Sequence, residues 1–300
     1  MMKVGTIVVT YNRLQLLKEV IDSLRKQTYK NHQIIVINNG STDDSLSWLN
    51  EQKDIITITQ ANLGGAGGFY TGMKYVVEHD YEYCWVMDDD VICKPTALEE
   101  LVKAYQAQDN IGFVCSRVIG IDGVPMNTPY PNIVSSENGY ADLYDLVADY
   151  AMVKVSIATF VSVFLGSQRI KEMGLPIKEY FIWGDDSEYT ERISSRYPSY
   201  IACRSIVVHK RAIQRSLTFE EEKNPQRIKN YFYMFRNNAY TRLIHNKKKL
   251  FIKQIIIQLL QAIKLLSKGK LQQSLIIFKA YISLITFKPQ IKYLKGTHIK

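Results

Sequence analysis

The chain has 300 residues, of which 46% are hydrophobic and 22% charged, so its composition allows a sizeable buried core and excludes a disordered chain. The formal net charge is +9, but residues 241–300 hold 13 Lys and Arg with no Asp or Glu, whereas residues 1–240 hold 25 basic and 29 acidic residues. An acidic body with a basic tail indicates an anionic partner surface, either lipid or nucleic acid.

Strand and helix patterns alternate through the first third of the chain. Continuous apolar runs predict buried strands at 3–10, 33–37, 55–59 and 82–87, and apolar residues at helical spacing predict helices at 14–27, about 45–52 and around 69–79. This alternation indicates a parallel sheet with right-handed crossovers, in which ligands bind beyond the carboxyl ends of the strands. Polar loops at 10–13, 38–41 and 88–90 follow those ends, which predicts a nucleotide site there.

The pattern is looser after residue 95. The sequence predicts a helix at 96–107, a strand at 111–118, a helix at 168–174 ending at Gly174, a helix from near Asp186 to about Ser195, and a strand at 204–209. Residues 120–150 are rich in turn-forming residues and are left unassigned.

The C-terminal part is basic and apolar. From Lys247 to Leu266, one helical face carries apolar residues, and a second apolar stretch covers 271–287. Neither stretch gives 18 uncharged apolar residues, so we expect a basic amphipathic helix in the membrane interface rather than a spanning helix. The alternative is two helices that pack on the preceding part of the chain or on a second subunit. The predicted division is therefore 1–240 and a helical tail, 241–300.

The cysteines and the N-terminus indicate the compartment. The spacing of the four cysteines matches no zinc or disulfide pattern, so we expect reduced thiols packed as small apolar groups. These residues are Cys84, Cys93, Cys115 and Cys203. Because the first residues also lack a cleavage site, we expect no secretory signal and a cytosolic protein.

Asp88, Asp89 and Asp90 follow the fourth predicted strand. Three adjacent carboxylates repel one another unless a cation or hydrogen-bond donors compensate. Carboxylate oxygens on a loop suit Mg²⁺ or Mn²⁺, and such a cation would neutralise charge growing on a departing diphosphate. The alternative is a helix cap with solvated acids ahead of Pro95 and Thr96.

Asp185 and Asp186 form a second acidic cluster, directly after Trp183 and Gly184. A carboxylate at the start of a helix can take the proton from an acceptor hydroxyl, and a neighbouring Trp can stack on a sugar face. Simple capping of the following helix is the alternative, and one Asp could cap while the other acts as the base.

Two further features carry weaker signals. His209 follows an apolar run, where a neutral imidazole could complete a metal site or have a structural role. The run from Gly64 to Gly68 permits close approach of backbone to a ligand and is similar to a phosphate-cradling loop, although it is neither a Walker motif nor GxGxxG.

In combination, these segments resemble glycosyltransferase family 2, whose fold is GT-A, an α/β class with a Rossmann-like nucleotide-binding sheet flanked by helices. The resemblance covers about residues 3–240. It rests on TIVVTYNR (6–13), Gln27-Thr28, VINNGSTDDS (36–45), NLGGAGGF (62–69), WVMDDD (85–90), WGDDSEY (183–189), His209 and YFYMFRNNAY (231–240).

The resemblance implies roles for individual residues. The donor pocket would comprise Thr10, Tyr11, Arg13, Asn39, Asn62, Gly65, Gly67, Asp88 and Asp89. Asp88 and Asp90 match the DXD motif, with Asp90 as the direct metal ligand and His209 as an additional one. Asp186 matches the catalytic base with Asp185 beside it, and Trp183 and Gly184 would bind the acceptor. Asn39 departs from the family pattern, because many members have there an Asp that pairs with uracil.

The family is inverting, so the resemblance implies transfer of a sugar from a nucleotide-sugar donor to a saccharide or lipid-linked acceptor with Mn²⁺ or Mg²⁺. NLGGAGGF followed by DDD and WGDD is more similar to the galactofuranosyltransferase branch than to the rhamnosyltransferase branch. UDP-galactofuranose is therefore the expected donor, with a rhamnosyl-, galactosyl- or other hexosyltransferase as the alternative. We expect a peripheral protein on the inner face of the cell membrane, in cell-surface polysaccharide synthesis, and the sequence leaves a homo-oligomer open.

Three other functional interpretations compete with the glycosyltransferase hypothesis. A nucleic-acid-binding protein would use the basic tail, but the acidic body and the lack of a recognised motif favour no nucleic-acid partner. A nucleotidyltransferase would need a basic glycine-rich loop early in the chain, where TYNR stands instead. A scaffold without catalysis, whether it binds a membrane or another partner, is disfavoured by the intact acidic clusters.

Overall fold

The computed structural model describes residues 2–135, 137, 139–211 and 218–294. The strands in this part of the chain are β1 (Val4–Thr10), β2 (His32–Asn38), β3 (Ile55–Thr59), β4 (Tyr83–Asp88), β5 (Val91–Cys93), β6 (Val114–Ile119), β7 (Tyr130–Pro131), β8 (Met152–Ile157), β9 (Val163–Gly166) and β10 (Tyr200–His209). The helices are α1 (Leu14–Arg25), α2 (Ser45–Asn50), α3 (Gly64–Glu78), α4 (Ala97–Gln106), α5 (Ala141–Tyr150), α6 (Ser167–Met173), α7 (Asp185–Ser194), α8 (Pro225–Ile244), α9 (Lys248–Ser267) and α10 (Leu271–Ser283), with a 3₁₀ turn at Lys178–Tyr180.

A single mixed sheet organises these elements. Its strand order is β3-β2-β1-β4-β9-β6-β10-β8-β7, and β5 adds to β10. The half formed by β3, β2, β1 and β4 is parallel, as the alternation of strands and helices predicts. In the other half, β9 runs antiparallel to both β4 and β6, whereas β10 is parallel to β6. The α/β class with helices flanking the sheet is confirmed.

Hydrophobic clusters cover both faces of the sheet. Val4 and Val8 of β1 point into one cluster with α1 and α4, and Ile7 and Val9 point into the other with α3 and α7. All residues of β1 are buried, because both faces are covered. Three of the four thiols are buried, as packing as small apolar groups requires, and Cys203 is partly buried.

The glycine-rich segment is helical, so the prediction of a phosphate-cradling loop there is wrong. α3 begins at Gly64 rather than near residue 69. A side chain at Gly68 would lie 2.3 Å from Val9, and one at Gly72 would lie 2.5 Å from Ile7. Gly68 and Gly72 thus let α3 pack closely on β1, whereas a side chain at Gly65 would meet nothing within 4 Å.

The tail helices pack on α8. Phe219, Tyr231 and Phe235 form a cluster with Leu265 of α9 and Ile277 of α10. The predicted boundary at residue 240 falls inside α8, which ends at Ile244. The helical tail is therefore continuous with the element before it, and the division at 240 stays a prediction.

Within the described residues, α9 is the one helix that is long and apolar enough to cross a membrane by length and composition. The prediction that this segment is not a spanning helix is therefore not confirmed by its length and composition. The buried residues of α9 are Gln254, Ala262 and Leu265, whereas its large aliphatic residues are mostly exposed.

Candidate active site

The parallel half of the sheet brings three polar loops to one edge. In the strand register, Thr10 lies opposite Asn38, and Val9 lies opposite Asp88. The loops after β1, β2 and β4 therefore leave the sheet side by side. The amide oxygen of Asn12 accepts a 2.6 Å hydrogen bond from the Thr42 backbone N–H, which joins the first two loops.

The middle carboxylate of the acidic triplet links the β4 loop to the β1 loop. Thr10 donates from Oγ1 to Asp89 Oδ2 at 2.7 Å, and Arg13 Nη1 lies 3.2 Å from Asp89 Oδ1 and 2.9 Å from Asp90 Oδ2. Burial raises the pKa of Asp89 to about 6, although the Arg13 charge opposes this. Asp89 thus positions the loop through protein contacts.

Strand pairing brings His209 to the same loop. β5 follows the triplet and runs antiparallel to β10, with Val91 opposite His209. The Lys210 N–H donates to the Asp90 carbonyl at 2.8 Å, and His209 Nε2 lies 3.1 Å from Asp90 Oδ1. Ligand atoms of Asp88, Asp90 and His209 all lie within 4.8 Å of one another.

This cluster fits a divalent cation. Burial, reinforced by the neighbouring carboxylates, raises the pKa of Asp88 well above its usual range, which a cation would reverse. Among the described residues, the buried Asp90 Oδ1 receives a hydrogen bond only if His209 Nε2 carries a proton. Its 3.1 Å distance from His209 Nε2 is close to the ~3 Å between adjacent ligands of an octahedral ion with bonds of about 2.1 Å.

A second pair of carboxylates stands at the start of α7. Asp185 is buried, and burial raises its pKa to about 8. Asp186 is partly exposed on the cavity wall, and its Oδ1 accepts a 2.6 Å hydrogen bond from the Ser187 N–H. Burial within the surrounding protein also raises the pKa of Asp186. A carboxyl group with a raised pKa near a cavity is suited to proton transfer.

The loop before α7 is strained and tied down. Phe181 and Trp183 adopt positive φ angles of 64° and 61°, which is uncommon for large side chains. Asn237 of α8 offsets this strain, because its Nδ2 donates to the carbonyls of Tyr180 at 2.9 Å, Ile182 at 3.2 Å and Trp183 at 2.8 Å. The segment YFYMFRNNAY thus holds the loop that carries Asp185.

Asn39 lines the cavity, but its amide is occupied by the protein. Nδ2 donates to the Gly64 carbonyl at 2.7 Å, and Oδ1 accepts from Gln60 Nε2 at 2.8 Å and from the Leu63 N–H at 3.3 Å. Protein donors thus occupy both acceptor positions of the amide oxygen, so Asn39 would accept a hydrogen bond from a base only if one of these bonds broke. The role of Asn39 in the donor pocket stays a prediction.

A cavity of about 640 Å³ joins these groups. Most of the predicted site residues line it, namely Thr10, Tyr11, Arg13, Asn39, Asn62, Gly65, Asp88, Asp89, Asp90, Trp183, Asp185, Asp186 and His209. Gly67 and Gly184 are not among its lining residues. Gly67 faces the Leu63 side chain, and Gly184 precedes α7 with φ 92°.

Sequence reasoning missed another part of the wall. Seven further lining residues do not follow the strands of the parallel half, so the sequence did not predict them. They are Asn127, Thr159, Phe160, Arg211, Gln226, Arg227 and Asn230. The first two turns of α8 supply three of them, Gln226, Arg227 and Asn230. Its start could have been found from Asn224 and Pro225, because an N-cap amide followed by Pro is a helix start signal.

Solved structures support the fold class. The structure of GalNAc-T7 with UDP, GalNAc and Mn²⁺ is similar to this chain with a TM-score of 0.60 and 14% sequence identity, over 77% of this chain and 48% of that one. The molecule therefore has the GT-A fold, with its cavity at the strand ends.

The sequence comparison gives the family. Residues 6–159, more than half of the chain, match the profile of glycosyl transferase family 2, and the chain belongs to this family. It is 33% identical over 116 residues to an uncharacterized glycosyltransferase of Nostoc sp., over 37% of this chain and 35% of that protein. It is 26% identical over 197 residues to galactofuranosyltransferase GlfT1 of Mycobacterium tuberculosis, over 63% and 64%. The matches thus span less than two thirds of either relative.

Proposed function

We propose that this protein is an inverting glycosyltransferase that moves a sugar from a nucleotide-sugar donor to a saccharide or lipid-linked saccharide acceptor. The observation that carries the proposal is that two separate clusters of acidic residues line the same cavity. Asp88 and Asp90 with His209 stand on one wall, and Asp186 stands at the start of α7 on another. A cation ligand set and a separate base are the two acidic functions that this reaction needs.

The donor end of the cavity would use the β1 loop and the acidic triplet. Thr10, Tyr11 and Arg13 line the space next to the carboxylates, where a nucleoside diphosphate would lie. Asp88, Asp90 and His209 would hold Mn²⁺ or Mg²⁺, which neutralises charge on the leaving diphosphate when bound. Arg13 adds a fixed positive charge, and its pairing with Asp89 and Asp90 keeps it at this end.

Asp186 is the proposed base. It would accept the proton of the acceptor hydroxyl while the hydroxyl oxygen forms a bond to the anomeric carbon. The bond from that carbon to the diphosphate oxygen breaks on the opposite side, which inverts the configuration. Trp183 lines the cavity next to Asp185 and Asp186, where its ring could stack on the acceptor sugar.

The proposed donor is UDP-galactofuranose. The similarity to a galactofuranosyltransferase over 63% of the chain supports the sugar, and the GT-A neighbour solved with UDP supports the nucleotide. A rhamnosyl-, galactosyl- or other hexosyl donor is the alternative.

A donor screen tests this proposal. Purified protein with Mn²⁺ or Mg²⁺ is incubated with UDP- and dTDP-sugars in the presence of a panel of saccharide acceptors, and nucleoside diphosphate release is measured. We expect UDP release to be highest with UDP-galactofuranose and to stop when the metal is chelated. Higher turnover with another donor would overturn the sugar assignment, and no release from any member of the panel would overturn the reaction.

We also propose that the tail docks the enzyme on the anionic inner face of the cell membrane. Gln254 and Gln273 are buried between the tail helices, whereas Ile252, Ile256 and Leu260 are more than half exposed. Large aliphatic side chains exposed along one helix while two glutamines are buried is unusual for a helix pair folded for water alone. The excess of Lys around this surface complements anionic lipid, so a lipid-linked acceptor would lie close by.

Vesicle sedimentation tests the docking. A variant carrying Ile252→Gln, Ile256→Gln and Leu260→Gln should no longer sediment with phosphatidylglycerol vesicles, whereas the parent protein should. These side chains are exposed, so the fold should be kept; removing the whole tail would instead uncover the Phe219 and Phe235 cluster. Val147→Gln on exposed α5 is the matched control. Unchanged sedimentation of the triple variant would exclude this surface as the membrane contact.

A further inference from the structure

A loop residue outside the sequence motifs contacts the second nitrogen of His209. The amide oxygen of Asn127 lies 2.9 Å from His209 Nδ1, while Nε2 on the other side of the ring lies 3.1 Å from Asp90 Oδ1. His209 is buried, and both of its nitrogens therefore meet protein acceptor atoms.

The two contacts compete for the single proton of a neutral imidazole. An amide oxygen can only accept, so the contact with Asn127 places the N–H on Nδ1. Nε2 of this tautomer then presents a lone pair to Asp90 Oδ1, and the buried carboxylate oxygen is left without a hydrogen-bond donor in the described part of the chain. Two lone pairs at 3.1 Å repel one another unless a positive ion lies against both.

We propose that Asn127 is a positioning residue that fixes His209 in the Nδ1–H tautomer, so that Nε2 is available to a divalent cation shared with Asp90. This inference rests on the proposed metal site. Hydrogen bonds to the non-ligating nitrogen commonly set the tautomer and the ring orientation of metal-binding histidines.

The backbone around Asn127 places its side-chain amide next to His209. After β6 the backbone turns at Gly120, whose N–H donates to the Val124 carbonyl at 2.8 Å, and returns so that the Met126 N–H donates to the Val118 carbonyl at 3.0 Å. β6 is paired with β10, so the returning strand reaches His209. Asn127 has φ 45°, a conformation that Asn tolerates better than most residues.

The test uses Asn127→Gly and Asn127→Asp, both of which tolerate the positive φ. Gly removes the acceptor, whereas Asp keeps it. Imidazole ¹⁵N shifts of metal-free protein, at a pH where the shifts report a neutral ring, give the tautomer, with His209→Gln identifying the signals. Electron paramagnetic resonance titration with Mn²⁺ gives the affinity. Asn246→Gly, at φ 56°, is the matched control.

We expect a larger share of the Nδ1–H tautomer in the parent protein and in Asn127→Asp than in Asn127→Gly, and Mn²⁺ affinity at least about tenfold lower in Asn127→Gly. An unchanged tautomer or unchanged Mn²⁺ affinity in Asn127→Gly would overturn the role of Asn127. Absence of Mn²⁺ binding by the parent protein would instead overturn the proposed metal site, while the tautomer measurement would still decide whether Asn127 fixes the ring.

Discussion

Asp186→Asn is expected to lower kcat by about 10²–10⁴-fold while UDP binding in the presence of Mn²⁺ stays within a few fold of the parent value. The amide has nearly the same shape as the carboxylate, and its oxygen can still accept the hydrogen bond from the Ser187 N–H. It cannot take a proton from an acceptor hydroxyl. Initial rates of UDP release and calorimetric UDP titration measure the two quantities.

Asp185→Asn is the comparison that assigns the base. Asp185 is buried, whereas Asp186 is partly exposed on the cavity wall, so the Asp185 variant should lose less activity. If Asp186→Asn kept most of its turnover, the assignment of Asp186 would be wrong. If Asp185→Asn alone abolished turnover, the base would be Asp185.

The same carboxylates predict the pH dependence of turnover. Burial raises the pKa of Asp186 above its ordinary value, and the base works only in its ionised form. Activity should therefore fall as the pH is lowered through the raised pKa, at a higher pH than an exposed Asp would give. The residual activity of Asp186→Asn should not show this decrease at low pH.

The sequence predicted the parallel half of the fold well because local patterns encode it. The run IITIT is β3, Ile55–Thr59, as predicted, and the predicted helix at 14–27 is α1 at Leu14–Arg25. Each of these elements shows its own period or apolar run. Since parallel strands end at one edge, their loops were also correctly expected to lie together.

The other half depends on contacts that are distant in sequence. β9 has only four residues and is fixed by pairing with β4 and β6, while α5 buries none of its residues and has little core pattern. β10 begins at Tyr200 rather than 204, because a register shift between Ala202 and Ile206 breaks its pattern. For the same reason Asn127 could not be found, since only the β6–β10 pairing brings it to His209.

Asp90→Ala should abolish the Mn²⁺-dependent part of UDP affinity, and the remaining affinity should match that of the parent protein with the metal chelated. Asp90 shares its two oxygens between His209 and Arg13, so the change removes one cation ligand and releases Arg13 at once. Calorimetric titration of UDP with Mn²⁺ and with chelator measures the difference.

Asp89→Asn separates these two effects, because Asp89 contacts Thr10 and Arg13 and lies outside the group of potential ligands. It removes a neighbouring charge but leaves Asp88, Asp90 and His209 in place, so Mn²⁺-dependent UDP binding should persist. Were Asp89→Asn to lose that binding while Asp90→Ala kept it, the metal would be held by the middle carboxylate. In that case the contact between Asp90 and His209 would serve only to join β5 to the acidic loop.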